Sequence, residues 1–116
     1  MSKASDTTAY NKDTTMNEEK LAEFLMGSVV DDTESVYGVG PKNKESLAAA
    51  GINSTFQLIG QFLLMREPGM NTRAHCDAFA AWLKGKGISS HRNQIIRVIA
   101  EKVNTMLPGL YNEEEL

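Results

Sequence analysis

Five segments of this chain carry apolar residues three and four positions apart, and each segment is followed by glycine or proline. This spacing puts the apolar side chains on one face of a helix, and no stretch alternates with the period of two that marks a half-buried strand. No block of residues repeats. The sequence therefore predicts an all-α protein, a compact bundle of five or six short helices joined by tight turns.

Residues that begin and end helices set the predicted boundaries, because Asn, Ser and Thr cap helix N-termini, Pro suits the first helical position and Gly ends helices. The predicted helices are NEEKLAEFLM, capped by Asn17; PKNKESLAAA, stopped at Gly51; TFQLIGQFLLM, capped by Asn53 or Ser54; one from Asn71 or Thr72 to Gly85 or Gly87; and one capped by Ser89 or Ser90 that ends at Pro108-Gly109. A short helical turn is predicted over residues 35–37. The apolar positions expected on the inner faces are Leu21, Phe24, Leu25, Phe56, Ile59, Leu63, Leu64, Ala74, Ala78, Phe79, Trp82, Leu83, Ile95, Ile96, Val98, Ile99, Val103 and Met106.

The size of the chain, 116 residues with 41% hydrophobic residues, suits one globular domain. Cys76 is its one cysteine, so no internal disulfide can form, and we expect a small core residue in a reducing compartment. No apolar run approaches the roughly 20 residues of a membrane span, and the polar N-terminus is not typical of a signal peptide. We predict a protein that is not secreted, with a flexible polar tail over residues 1–16, a helical domain over 17–111 and an acidic extension over 112–116.

The formal net charge of −3 hides an asymmetry along the chain. Residues 1–35 hold three lysines and eight acidic residues, whereas residues 36–104 hold nine basic residues and four acidic ones. Three glutamates at 113–115 make the C-terminal end acidic again. A basic body between acidic ends permits anion binding by the middle of the chain, although a solvated surface of mixed charge would have the same composition.

The segment VYGVGPKNKESL, residues 36–47, has the helix-hairpin-helix pattern of two glycines around an apolar residue, followed by a helix. Gly38 and Gly40 are expected to allow positive φ and a close backbone approach, and Val39 is expected to tuck into the core. The N–H groups at the start of the helix that begins at Pro41 are suited to hold a phosphate. Such contacts fix a position on a nucleic-acid backbone but read no bases. A purely structural turn between two helices is the alternative.

Four strings in the chain share their order and spacing with one known family. They are GVG at 38–40, AGI at 50–52, LIGQFL at 58–63 and FAAWLK at 79–84. Together they resemble barrier-to-autointegration factor, whose members show a Gly-Ile-Gly hairpin, a Leu-Gly-Gln-Phe-Leu stretch and a Phe-x-x-Trp-Leu-Lys block in this succession. The resemblance covers nearly the whole part of the chain that we expect to be ordered.

The resemblance implies an all-helical homodimer that binds double-stranded DNA without sequence preference and bridges two duplexes, with a role in chromatin or genome organisation. It implies LEM-domain, lamin or histone proteins as partners, a location in the nucleus or on chromatin and also in the cytoplasm, and no cofactor or metal. Phosphorylation of N-terminal residues releases DNA in the family, because a phosphate there repels the duplex. The corresponding positions here are Ser2, Ser5, Thr7 and Thr8.

Carried over to this chain, the DNA-binding site falls on the hairpin and on the start of the last helix. Its predicted residues are Gly38, Val39, Gly40, Lys42, Asn43 and Lys44 at the hairpin, and Ser90, His91 and Arg92 at the last helix. The chain departs from the family at Ser46, where members carry a basic residue, and Glu45 stands beside it. The N-terminal tail is also longer and more acidic, and an insertion at 68–73 lengthens a loop. These departures weaken the expectation of LEM-type partners more than that of DNA binding.

An enzyme is a competing hypothesis that the residues support poorly. His75 and Cys76 are adjacent in a predicted helix, so their side chains diverge, and His91 stands alone. The acidic residues of DDTE at 31–34 fit a solvated loop better than a metal site that lacks further ligands. We predict that the protein is not an enzyme.

The second alternative is a helical protein-interaction adaptor whose hairpin is structural and has no DNA affinity. Its partner groove would be formed by Met65, Met70, Phe79 and Trp82. Core or dimer contacts also explain these residues.

Overall fold

The computed structural model of the protein describes residues 8–116, and within them the chain forms five α-helices and no strand. The helices are α1 (Glu18–Met26), α2 (Pro41–Ala49), α3 (Thr55–Leu64), α4 (Thr72–Gly85) and α5 (Arg92–Met106). Two short 3₁₀ helices lie at Thr33–Ser35 and Glu113–Glu115. The all-α prediction is confirmed. Ser2, Ser5 and Thr7, three of the predicted phosphorylation positions, lie outside the described residues.

Side-chain caps start three of the helices where the sequence predicted them. The side chains of Asn17, Ser54 and Asn71 each accept a hydrogen bond from a backbone N–H three residues later. Each bond satisfies one of the donors that a helix leaves unpaired at its N-terminus. Gly51 ends the α2 segment with φ of 88°, a left-handed conformation that glycine adopts without a Cβ penalty.

Two local predictions were wrong. Helix α5 is preceded by His91 in a left-handed conformation with φ of 61°, and no side chain caps it, so neither Ser89 nor Ser90 has the predicted role. The short turn lies at Thr33–Ser35 instead of 35–37, because the Asp32 carboxylate accepts the N–H of Glu34 at 2.9 Å and starts the turn two residues earlier.

Helix α5 is the centre of the core, since it packs against α1, α3 and α4. Its fully buried apolar residues are Ile95, Ile96, Val98, Ile99, Ala100 and Val103. Lys102 is also buried on this helix, and its ammonium donates to the carbonyls of Leu25 at 2.9 Å and Gly27 at 2.6 Å. The cation thereby satisfies the carbonyl end of α1, where the helix dipole favours positive charge.

Several apolar positions expected on inner faces are exposed instead. Phe56 is 54% exposed, Leu64 78% and Met106 51%, and Ala74 is also exposed. The buried face of α3 is formed by Leu58, Ile59 and Phe62. Leu64 lies two residues past Phe62, about 200° around the helix from it, whereas Phe56 lies about 60° from Ile59 and about 200° from Leu58, to one side of the buried face.

The N-terminal segment ahead of α1 lies against the helical body. Tyr10 is 2% exposed, its N–H donates to Asp77 Oδ1 at 2.9 Å, and its carbonyl accepts from Arg73 at 2.7 Å. Tyr10 belongs to the region predicted as a flexible tail, and its ring adds to the core. The division into tail, domain and extension stays a prediction.

Cys76 is buried in the core, as expected, and burial raises the pKa of its thiol to about 12. A thiol held protonated is a poor nucleophile. No helix within residues 8–116 is long and apolar enough to cross a membrane.

Candidate nucleic-acid interface

The hairpin between the first 3₁₀ helix and α2 depends on Gly38. The N–H of Val39 donates to the carbonyl of Val36 at 3.0 Å, and Gly38 between them has φ of 96°. A Cβ at Gly38 would lie 2.9 Å from Cγ1 of Ile95 and 3.1 Å from Cβ of His91. Glycine is therefore required for its conformation and for its space, and it lets the hairpin touch the start of α5.

Gly40 differs from the expectation. Its φ of −96° and ψ of −171° are those of extended backbone, and a Cβ there would meet no atom within 4 Å. The predicted positive φ at Gly40 is wrong, because Gly38 alone supplies the left-handed turn and the chain then enters α2 extended. Val39 between the two glycines is 5% exposed, so the prediction that it tucks into the core is confirmed.

The start of α2 presents backbone donors beside the hairpin. The N–H of Lys44 donates to the carbonyl of Gly40 at 2.8 Å, so the helical bonding begins there. Pro41 has no N–H, and the backbone N–H groups of Lys42 and Asn43 precede the first bonded turn. The Lys42 side chain is exposed, whereas Asn43 is only 5% exposed.

The Asn43 side chain bonds within the protein. Its Nδ2 donates to the carbonyl of Gly38 at 3.0 Å and to the carbonyl of Ser90 at 3.1 Å. Both predicted segments of the site are thus joined by one amide group. Ser90 and His91 are exposed next to this link.

The Lys44 ammonium is held by acidic residues. It lies 3.1 Å from Asp32 and 3.7 Å from Glu34. The bond to Asp32 raises the pKa of Lys44, and the backbone N–H of Glu34, followed by the Lys44 ammonium, lowers the pKa of Asp32. The predicted phosphate contact by Lys44 thus competes with two carboxylates.

The Arg92 guanidinium is half-buried, and it donates to the carbonyl of Ile88 at 2.9 Å. This bond braces the loop between α4 and α5. One N–H group of the side chain therefore serves the loop, and a guanidinium offers further donors.

An open cleft of about 750 Å³ brings the two predicted segments together. It is lined by seven of the nine predicted residues, all except Lys44 and Arg92. Four residues of the α1 region also line the cleft, and sequence reasoning missed their contribution. They include Lys20, Glu23 and Phe24. No spacing signal could have found them, because α1 meets the hairpin only through the tertiary fold.

Two residues named in the competing hypotheses, His75 and Phe79, are buried. Within the described part of the chain, no group of three His, Cys, Asp or Glu residues could hold a metal ion. His75 Nε2 lies 2.7 Å from the carbonyl of Phe62, on whose ring it stacks. Phe79 is fully buried, so the partner groove predicted for an adaptor does not form with that residue.

The fold and the hairpin define a small all-α protein with a helix-hairpin-helix motif. The family model for barrier to autointegration factor matches residues 15–106, and the chain belongs to this family. The family binds DNA, is generally associated with the nucleus and chromatin, and is not a family of enzymes. Neither the curated proteins nor the solved structures gave a match to the chain.

Proposed function

We propose that the protein binds double-stranded DNA without sequence preference and, as a homodimer, bridges two duplexes, with a role in chromatin or genome organisation in the nucleus. The observation that carries this proposal is the cleft that holds the hairpin and the Ser90-His91 turn side by side. Both segments offer hydrogen-bond donors suited to phosphate. Family membership supports DNA as the molecule that supplies the phosphates. We propose no cofactor, no metal and no catalytic role.

The contacts proposed with phosphate come from the backbone N–H groups of Lys42 and Asn43, the Lys42 ammonium, and the side chains of Ser90 and His91. A helix N-terminus carries partial positive charge, which favours an anion there. Arg92 is proposed as a further contact through the part of its guanidinium that does not bond Ile88. None of these groups reads a base edge, so binding would be blind to sequence.

Self-association is proposed through the exposed face of α3. Phe56 and Leu64 are exposed apolar residues eight positions apart, with Gly60 midway between them. Positions four apart lie on the same side of a helix. A Cβ at Gly60 would meet no atom within 4 Å, so this face is open and allows a close approach. A second copy covering it would remove the apolar side chains from water.

Protein partners of the LEM-domain, lamin and histone kinds are part of the proposal through family membership. Regulation by N-terminal phosphorylation is proposed on the same basis. Within the described residues, Thr8 Oγ1 accepts a hydrogen bond from Lys84 Nζ at 2.9 Å. A phosphate at Thr8 would therefore lie next to the Lys84 ammonium on α4 and form an ion pair with it.

The test is a titration with two unrelated duplexes of equal length at low and physiological salt, read by gel shift and light scattering. We expect equal affinities, a fall of log K with log salt of about 0.9 for each phosphate contacted, and scattering that grows as duplexes are joined. Absence of binding at low salt would contradict the proposal and favour the adaptor hypothesis.

Dimerisation is tested by Leu64→Glu, with Ala81→Glu on the exposed side of α4 as the matched control. We expect the Leu64 variant to have half the molar mass of the wild type by light scattering after gel filtration. It would still bind single duplexes but would no longer join them. A Leu64 variant with the mass of the wild type would exclude this face as the interface.

A further inference from the structure

We infer that Asn43 is a positioning residue, which ties the hairpin to the Ser90-His91 turn so that both contact one DNA backbone as a single rigid surface. This inference rests on the proposed function and assigns Asn43 a side-chain role other than the predicted direct contact. It concerns how two segments distant in sequence come to act together.

The geometry of the Asn43 amide carries the inference. A side-chain amide has two N–H donors in one plane, and both are used here, on Gly38 and on Ser90, whose carbonyls lie 5 and 47 residues away in the chain. Because the donors are fixed relative to each other, the two carbonyls are held at a set separation. Asn43 is 5% exposed, so solvent offers these donors little competition.

The surroundings show why the link is needed. Helix α5 packs against α1, α3 and α4, whereas α2 packs against the 3₁₀ helix at Thr33–Ser35. The hairpin meets α5 through Gly38, whose missing side chain leaves room for Ile95 and His91. This close packing contact limits the distance between the hairpin and α5, and van der Waals packing is not directional. Asn43 adds directional bonds at the same place, and directional bonds fix orientation.

The consequence for binding is preorganisation. A surface whose two halves are already fixed does not lose their relative freedom when DNA binds, so more of the contact energy contributes to affinity. If the link is removed, the hairpin can engage a phosphate without aligning the Ser90-His91 turn. Binding would then use fewer phosphates.

Asn43→Leu tests the inference, because leucine fills a similar volume and donates no hydrogen bond. We expect affinity for duplex DNA to fall about ten-fold, and the slope of log K against log salt to decrease by about 0.9, because the Arg92 guanidinium next to the turn no longer neutralises a phosphate. A residue that served stability alone would lower the melting temperature and leave this slope unchanged. An unchanged slope would overturn the inference.

A double-mutant cycle shows whether the affinity lost in Asn43→Leu comes from the Ser90-His91 turn or from the start of α2. His91→Gly removes the imidazole and accepts the left-handed φ of 61° without strain, and Lys42→Ala removes the ammonium at the start of α2. In the Asn43→Leu background we expect the effect of His91→Gly to vanish and that of Lys42→Ala to persist. Equal effects of His91→Gly in both backgrounds would contradict a positioning role.

A measurement on the unaltered protein covers the case in which Asn43→Leu fails to fold. Nuclear magnetic resonance of the wild type should show slow solvent exchange of the Asn43 side-chain protons, which persists when duplex DNA is added. The backbone N–H signals of Lys42 and His91 should shift. Fast exchange of the Asn43 protons would overturn the inference. If no residue of the cleft changed its chemical shift when DNA was added, DNA binding itself would be rejected.

Discussion

The hydroxyls of Tyr10 and Tyr111 share a buried hydrogen bond of 2.8 Å, although the two residues lie 101 positions apart. Their rings meet edge to face, with centroids 6.4 Å apart. Burial raises the pKa of both phenols, that of Tyr111 to about 12, so both stay protonated at neutral pH. Segments outside the first and last α-helices are thereby joined to each other and to the core.

Tyr10→Phe should destabilise the protein by about 1–3 kcal/mol, because it leaves the buried hydroxyl of Tyr111 without this partner. Tyr37→Phe is the control, since the Tyr37 hydroxyl accepts only a long, exposed bond of 3.4 Å from Asn17. We expect it to cost no more than about 0.5 kcal/mol. Urea unfolding measures both, and a Tyr10 variant as stable as the control would show that the buried bond adds nothing.

The two hairpin glycines should respond differently to alanine. Gly38→Ala forces an alanine into φ of 96° and a Cβ to within 2.9 Å of Ile95, so we expect a loss of stability of about 1–3 kcal/mol. Gly40→Ala is the matched control, with extended backbone and open space, and should change stability by less than about 1 kcal/mol. Thermal unfolding of the two variants measures the difference, and equal losses would refute the hairpin geometry.

The helices, their N-terminal caps and the hairpin could be predicted from the sequence, because apolar spacing, capping residues and the Gly-Val-Gly string are signals carried by neighbouring residues. Asn17, Ser54 and Asn71 cap the helices expected of them. The all-α class follows from the same spacing, and the cleft contains most of the residues predicted for the site. Local chemistry decides such features, so the order of residues suffices to find them.

The features that were missed depend on distant contacts. Asn43 looked like a phosphate ligand, and its bond to Ser90 joins residues 47 positions apart. Phe56 fitted a helical stripe, and only the placement of α5 decides which side of α3 is buried. Lys102 is a buried cation whose partner is the end of another helix. The spacing of residues along a helix does not indicate contacts with residues that are distant in sequence, because the tertiary fold alone brings them together.

Lys44 and Lys42 should contribute unequally to DNA binding. The Lys44 ammonium is already paired with Asp32 and Glu34, whereas Lys42 is exposed and lines the cleft. We expect Lys42→Ala to weaken binding more than Lys44→Ala does. Asp32→Asn should strengthen binding at low salt, because it leaves more of the Lys44 charge for phosphate. Fluorescence anisotropy measures the affinities, and a larger effect of Lys44→Ala would show that phosphate displaces the acidic pair.

Stability should fall as the pH drops through the ordinary titration range of histidine, and His75 should be one cause. Burial lowers the pKa of His75 below its ordinary value of 6.5, with the nearby Arg66 acting in the same direction and the hydrogen bond to Phe62 opposing both. Between the lowered and the ordinary value, the unfolded chain binds more protons than the folded one, so the stabilisation from neutral His75 is present above about pH 6.5 and is lost below it.

His75→Phe retains an aromatic ring beside Phe62 and cannot be protonated, so it isolates this contribution. We expect the variant to be less stable than the wild type at pH 7.5, because the carbonyl of Phe62 loses its 2.7 Å partner. The difference in urea midpoint between the two proteins should then narrow as the pH is lowered from 7.5 to 5.0. Protonation of His75 in the unfolded chain destabilises the wild type over this range, and the variant has no such group. Parallel midpoints across that range would mean that His75 titrates alike in the folded and unfolded chains.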